Sequence, residues 1–180
     1  MWGVPLTAEE APVVTADSVV WRSVSAVRAR ILAFSLGALK GQGLSQAEVF
    51  AMADALSVWD ALTVAETDFI LDPEPSAPEL VQAAWRFEAV NVLLWAVSSV
   101  RHLAFPDGVV DSGRLTSIVL ALGPSDSLEL RAAKELLDAA DVAARLELLS
   151  RAVSPPPAGL LAGVVRERAA AFAWLVGRVG

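Results

Sequence analysis

The residues of this chain whose types and spacing could do chemistry lie together in Trp85–Trp95. Glu88 and Asn91 are three positions apart there, so a helix places both side chains on one side, among apolar neighbours. A carboxylate in such surroundings must be paired or protonated. Arg168, at the edge of the apolar stripe of the last predicted helix, is the first choice of partner, and Arg145 is the second.

Two interpretations of Glu88 follow from this setting. As a functional group it would be a general acid or base in a pocket. As a structural group it would form a buried ion pair with Arg168 that ties two helices together. No nucleophile, metal-ligand set or second acid accompanies it, so the structural interpretation is favoured and no catalytic residue is assigned. Glu88, Asn91 and Arg168 are therefore a candidate buried polar cluster.

Tryptophans suggest a second kind of site. Trp85, Trp95 and Trp174 could line a cleft for a ligand or a partner, but aromatic residues at helical spacing more often belong to a core. The N-terminal arm, residues 1–14, carries exposed-type apolar residues such as Trp2 that could form a partner surface. An arm broken by prolines could equally be disordered.

Composition excludes several classes of function. The 180 residues include no Cys and one His, so a disulfide framework, a thiolate metal site and a histidine metal cluster are excluded. We expect no metal and no other cofactor. The net charge of −7 argues against nucleic acid as a partner. The sequence motifs of phosphate-binding loops, dinucleotide folds, serine hydrolases and zinc proteases are all missing.

The hydrophobic fraction of 55% raises the question of a membrane. The longest uncharged runs are Ala152–Val165, which three consecutive prolines interrupt, and Ala89–Val100, which is shorter than the roughly 20 residues that a bilayer requires. We therefore expect no membrane span. The N-terminus has early carboxylates and no basic start, so it is unlike a secretory signal, and a cytoplasmic location is expected.

Three capping boxes predict where helices begin. They are Ser45–Glu48, Thr63–Glu66 and Ser76–Glu79, each with a Ser or Thr followed three residues later by Glu. The first opens a helix to about Trp59, and the second a short helix to about Leu71. The third opens the longest element, about residues 77–102, whose apolar side chains spread around the whole cylinder, which predicts burial on most sides.

The remaining helices are read from spacing and stop signals. One begins after a Thr15 cap and ends near Lys40, one spans Asp111–Leu122, one runs from a Ser125 cap to about Val153, and one spans about Val164–Val176. No segment alternates with a period of two, so essentially no sheet is expected. The sequence predicts an all-α fold, a compact irregular bundle of about six to eight helices around the central helix 77–102. Residues 15–180 form a single domain in this prediction.

The chain resembles a bacterial family catalogued as domain of unknown function 4272. Trp85–Ala96 is similar to the family signature Trp-Arg-x-Glu-Ala-Leu-x-Val-Leu-Leu-Trp-Ala, and Asp72–Ser76 is similar to its Asp-Pro-x-Pro-Ser turn. Arg131–Asp138 and Val165–Leu175 resemble two later helix motifs. The chain departs from the pattern where the family often has an aromatic-plus-basic pair, here Ala144-Arg145. The resemblance implies a helical domain and supplies no activity.

These observations favour a non-enzymatic helical protein-interaction module, such as an adaptor, an immunity-type protein that neutralises a toxin, or a structural partner. The acidic charge suits a basic partner. The alternative is a small-molecule-binding domain or enzyme with a pocket near Glu88, Asn91 and Trp95. Closed surroundings of Glu88 would favour the module, whereas a pocket that exposes its carboxylate would favour the alternative.

Overall fold

The described chain consists of helices and of the loops that join them. The computed structural model describes residues 20–153 and 159–177, and within these ranges there is no β-strand. The eight α-helices are α1 (Val24–Gly41), α2 (Gln46–Leu56), α3 (Val64–Leu71), α4 (Ala77–Ala84), α5 (Arg86–Ala96), α6 (Ser112–Leu120), α7 (Ala133–Ala152) and α8 (Ala162–Leu175). The predicted all-α class and helix number are confirmed.

Helix α5 lies at the centre of the packing. It contacts α1 on one side and α8 on another, and α8 in turn packs against α7. All its residues from Phe87 to Ala96 are buried. Leu93 and Leu94 are both fully buried although adjacent helical side chains point about 100° apart. The prediction of an apolar central helix surrounded by neighbours is confirmed.

The close crossing of α1 and α4 depends on a glycine. A Cβ atom at Gly41 would lie 2.6 Å from both the Ala84 backbone nitrogen and the Leu80 backbone oxygen. That distance is well inside van der Waals contact, so only a residue without a side chain fits. Gly41 thus sets how near α4, and the start of α5 behind it, approach α1.

The predicted extent of the central helix, 77–102, is wrong. The helical segment is interrupted at Trp85, which divides it into α4 and α5, and it ends at Ala96. At that end Ser98 has a left-handed φ of 62°, and the Ser99 N–H donates to the Leu94 carbonyl at 2.9 Å. This is the Schellman arrangement that usually requires glycine. Because serine, unlike glycine, does not indicate a helix end in the sequence, the predicted helix extended to residue 102.

All three predicted capping boxes are present. Glu48, Glu66 and Glu79 each accept a hydrogen bond at 2.9 Å from the backbone N–H of the Ser or Thr three residues earlier. These contacts satisfy donors that a helix N-terminus leaves unpaired. The starts of α2, α3 and α4 therefore lie where the sequence predicts them.

Two predicted helix starts are wrong. Helix α1 is capped by Ser23, whose hydroxyl accepts from the Ala26 N–H, and Val20 lies before it, 80% exposed. Helix α7 begins at Ala133 rather than after Ser125, because the Arg131 N–H donates across the molecule to the Ala96 carbonyl and holds the preceding segment out of the helix. Thr15 and the arm 1–14 lie outside the described residues.

Candidate functional site

Glu88 and Arg168 form a buried ion pair between α5 and α8. Nε and Nη2 of Arg168 each lie 3.0 Å from the Glu88 Oε2. Glu88 is 1% exposed and Arg168 5% exposed. Glu88 is in the first turn of α5, where a carboxylate is also favoured by the helix dipole. Arg145, the other partner considered, is exposed on α7 and pairs with Asp141 at 2.8 Å.

The same pair fixes the loop between α5 and α6. The second carboxylate oxygen of Glu88 accepts the Val110 N–H at 2.8 Å, and Nη1 of Arg168 donates to the Ala104 carbonyl. The pair therefore holds both ends of the segment 104–110. Because both Glu88 oxygens are engaged by protein groups, neither is presented to a substrate, and the geometry suits a structural anchor rather than an acid or base.

Asn91 lies one helical turn after Glu88 and has a different environment. It is 7% exposed, and its side chain makes no hydrogen bond within the described residues. It lines an open cavity of about 270 Å³. Arg168, His102 and the segment 104–111 contribute other walls of this cavity. The structure thus places Asn91 beside the ion pair, facing a space that a ligand could enter.

His102 is not at the end of a helix. Because α5 ends at Ala96, His102 is an exposed loop residue, and it lines the cavity. The predicted helix 77–102 would have placed His102 at a helix end, and that part of the prediction is wrong. The cause is the early termination at Ser98.

The three candidate tryptophans do not come together around the cavity. Trp95 is 7% exposed, packs edge-on against Phe172 with 5.9 Å between ring centroids, and belongs to the core. Trp85 is half-buried and lies against Gly163, where a Cβ would approach its ring to 3.2 Å. Trp174 is half-buried, and none of the three lines the cavity at Asn91.

Arg131 has a structural role that the sequence does not reveal. Its guanidinium lies over the Trp95 ring, 4.8 Å from the centroid. Nε donates to the Trp95 carbonyl at 2.6 Å, and Nη2 donates to the Val100 carbonyl at 3.1 Å. A cation at these carbonyls complements the negative end of the helix dipole. Arg131 is therefore the cap of α5, supplied from the start of α7.

Lys40 is the second residue that the sequence does not single out. It is 4% exposed, and its Nζ donates to Gln46 and to three backbone carbonyls at the end of α3, those of Phe69, Ile70 and Asp72. Burial lowers the pKa of this amine below its ordinary value of 10.5, and the Asp72 carboxylate partly opposes that shift. The amine joins α1, α2 and α3, and Lys40 does not line the cavity beside Asn91.

Two further observations concern the described residues alone. Nowhere in residues 20–153 and 159–177 do three metal-ligating side chains gather. None of the helices in these ranges has the length and apolarity needed to cross a bilayer.

Comparison with known proteins gives a family and no activity. No curated protein and no solved structure matches the chain. A family model does match it, over residues 2–179, and its description is Domain of unknown function. Because the match spans nearly the whole chain, the protein belongs to the family DUF4272.

Proposed function

We propose that this protein is a non-enzymatic helical interaction module that binds a basic protein partner in the bacterial cytoplasm. Adaptor, immunity-type and structural roles all fit this description. The closed surroundings of Glu88 support the proposal, because both oxygens of this carboxylate are bonded to protein groups that join α5 to α8 and to the loop between α5 and α6.

The observation that carries the proposal is the segregation of charge along the chain. Residues 41–85 contain eight carboxylate side chains and no Lys, Arg or His. They are Glu48, Asp54, Asp60, Glu66, Asp68, Asp72, Glu74 and Glu79. Since the whole chain carries −7 and this segment −8, all other residues together carry +1. The acidity of the protein thus resides in α2, α3, α4 and their connections.

Five of these carboxylates have a local structural role. Glu48, Glu66 and Glu79 cap helices, Asp54 accepts the Trp59 indole N–H, and Asp72 accepts the Glu74 N–H. Their charge still adds to the field around this side of the molecule. Local contacts therefore explain why these five positions are acidic, and they do not explain the other three carboxylates of residues 41–85.

The three remaining carboxylates define an acidic face. Asp60, Asp68 and Glu74 are exposed and make no side-chain hydrogen bond or ion pair with any described residue. Two large apolar side chains of α3 lie between them in the sequence, Val64 at 80% and Leu71 at 51% exposed. Val64, Asp68 and Leu71 are four and three residues apart, so they share one side of the helix. We call these five residues the acidic face.

A partner that fits this face is basic and partly apolar. Unpaired carboxylates attract Lys and Arg side chains and speed encounter, while Val64 and Leu71 offer nonpolar area to bury. A cationic amphipathic helix has both properties. The partner proposed here is a protein that presents such a surface.

Affinity capture with charge-reversed variants tests the proposal. The wild-type chain and the variant Asp60→Lys/Asp68→Lys/Glu74→Lys would be used to capture proteins from the native host, and the recovered partner would then be purified and recombined with each. A control, Asp126→Lys/Glu129→Lys/Asp138→Lys, changes the same number of exposed carboxylates elsewhere. We expect a stoichiometric basic partner that the first variant loses and the control retains. Equal retention by both variants, or no stoichiometric partner of the wild type, would contradict the proposal.

The alternative, a small-molecule-binding domain or enzyme, is supported by one observation. The cavity beside Asn91 could hold a ligand, although Trp95 and the Glu88 oxygens do not face it as the sequence suggested. Glu88 supplies no free acid or base there, because both of its oxygens are bonded to protein groups. Ligand binding without catalysis is the form of this alternative that the geometry favours.

A further inference from the structure

The cavity is lined by Asn91, whose side chain ends in an amide. It is the only asparagine of the chain, and its side chain has no hydrogen-bond partner among the described residues. Every fully occluded side-chain nitrogen or oxygen in those residues does have a partner. The Asn91 amide must therefore reach solvent, and it does so through the cavity that it lines. Because the residue is only 7% exposed, few water molecules can reach the amide, and a ligand that bonds to it could displace them.

The walls of the cavity are held in place before any ligand enters. Glu88 fixes the Val110 N–H and Arg168 fixes the Ala104 carbonyl, as described above. The Leu161 N–H adds a third anchor by donating to the Pro106 carbonyl at 3.0 Å. A loop fixed at three points loses little conformational freedom on binding, so a small ligand can bind without ordering it.

The charges around the cavity nearly cancel. The Arg168 guanidinium is neutralised by Glu88. Asp107, Asp111 and Arg114 also line the cavity and carry charges of both signs. An anion or a cation would meet charges of both signs there, so the electrostatics favour an uncharged ligand.

We propose that this cavity binds a small, uncharged, planar molecule that carries a carboxamide or lactam edge. Such an edge places a hydrogen-bond donor beside an acceptor, which complements the NH₂ and C=O of the Asn91 side chain in a paired contact. The nonpolar walls, Val100, Phe105 and Leu115, suit a flat ring. Carboxamides of aromatic rings and nucleobases have this chemistry. The site shares no residue with the acidic face and stands independently of the protein-partner proposal.

Selective labelling of Asn91 gives a direct test. Because the chain has one asparagine, protein labelled with ¹⁵N at the Asn side chain shows a single NH₂ group. Nicotinamide and uracil would be titrated into the full chain, with nicotinate as a control that keeps the ring but replaces the amide by a carboxylate. We expect both amides to shift the Asn91 NH₂ signals saturably and nicotinate to bind at least about tenfold more weakly. Unmoved signals with both amides, or equal binding of nicotinate, would overturn the proposal.

Variants separate recognition from folding. Asn91→Leu removes the amide and keeps the branched shape of the side chain, and it should weaken nicotinamide binding about tenfold or more. Gln42→Leu removes an exposed amide outside the cavity and should leave the affinity unchanged. If Asn91→Leu does not fold, Phe105→Ala, an exposed wall residue, takes its place and should weaken binding several-fold. Wild-type affinity in the folded Asn91 variant, or in Phe105→Ala, would contradict the site.

Discussion

The Arg168 guanidinium lies 3.0 Å from the Glu88 carboxylate, although the two residues are 80 positions apart in the chain. Both are almost fully buried, and between them they also bind the backbone at Ala104 and Val110. One ion pair thus joins the central helix, the last helix and the loop that forms the cavity. Because the ion pair holds three parts of the fold, it explains why a buried apolar helix carries a charged residue in its first turn, without assigning that residue a chemical role.

Removing the carboxylate should leave arginine buried without its partner. We expect Glu88→Ala to lower the free energy of unfolding by about 3–5 kcal/mol in chemical denaturation. The double variant Glu88→Leu/Arg168→Met should be less destabilised than Glu88→Ala, because no unpaired charge remains. The exposed ion pair of Asp141 and Arg145 offers a control, since Asp141→Ala should lower the free energy of unfolding by at most about 1 kcal/mol. A Glu88→Ala protein as stable as wild type would show that the pair is not a structural anchor.

The two lysines of the chain should differ in reactivity and in importance. Lys40 is 4% exposed and hydrogen-bonded, while the Lys134 side chain is 85% exposed. Brief acylation of the native protein should therefore modify Lys134 and spare Lys40, as measured by mass spectrometry. Lys40→Met should destabilise the fold by about 2 kcal/mol, because the carbonyls at the end of α3 lose a charged donor, and Lys134→Met should have almost no effect. Rapid acylation of Lys40 in the folded protein would contradict the contacts described.

Two glycines of α1 should respond to alanine in opposite directions. A Cβ at Gly41 would collide with the α4 backbone at 2.6 Å, so Gly41→Ala should destabilise by about 1–3 kcal/mol or more. A Cβ at Gly37 would meet nothing within 4 Å, so Gly37→Ala should be stabilising by about 0.5–1 kcal/mol. Thermal or denaturant unfolding measures both. Equal effects of the two substitutions would argue against the close crossing of α1 and α4.

The capping boxes should make stability depend on pH in the acid range. Hydrogen bonds from the Ser45 hydroxyl and N–H hold the pKa of Glu48 below its ordinary value of 4.5, and Ser76 acts likewise on Glu79. The folded protein therefore takes up protons at these groups less readily than the unfolded chain does. The stability that the two carboxylates contribute is fully present above about pH 4.5 and is lost as the pH falls through their pKa values in the folded protein.

Denaturation curves between about pH 6 and pH 3 measure this dependence. The variant Glu48→Gln/Glu79→Gln should lose less stability than wild type over that range, because Gln retains the cap without titrating. An identical acid dependence in wild type and variant would show that these carboxylates do not contribute.

Local signals were sufficient for part of the fold. The starts of α2, α3 and α4 follow from side chains that contact their own backbone three residues away, so the sequence contains the whole interaction. The burial of α5 follows from its composition in the same way. Both predictions depend on interactions or composition within a single segment of the chain.

Contacts between distant segments account for what the sequence did not reveal. Helix α5 ends where Ser98 adopts a left-handed conformation, and Arg131, more than 30 residues later, binds the carbonyls exposed there. The Arg131 backbone N–H also donates to the Ala96 carbonyl, and for this reason α7 begins only at Ala133. Lys40 has the place of an ordinary last-turn lysine in the sequence, because its three backbone acceptors lie 29 to 32 residues away. At the candidate site, the sequence indicated Glu88, Asn91 and Arg168, but the loop that makes the cavity depends on tertiary packing.

The affinity of the protein for its purified basic partner at low and high salt tests the central proposal most directly. If the acidic face is the binding surface, Asp60→Lys/Asp68→Lys/Glu74→Lys should weaken binding by about tenfold or more and flatten its salt dependence, while the control with reversed charges at Asp126, Glu129 and Asp138 should bind like wild type. Equal affinity of the two variants, or binding that is indifferent to salt in the wild type, would contradict it.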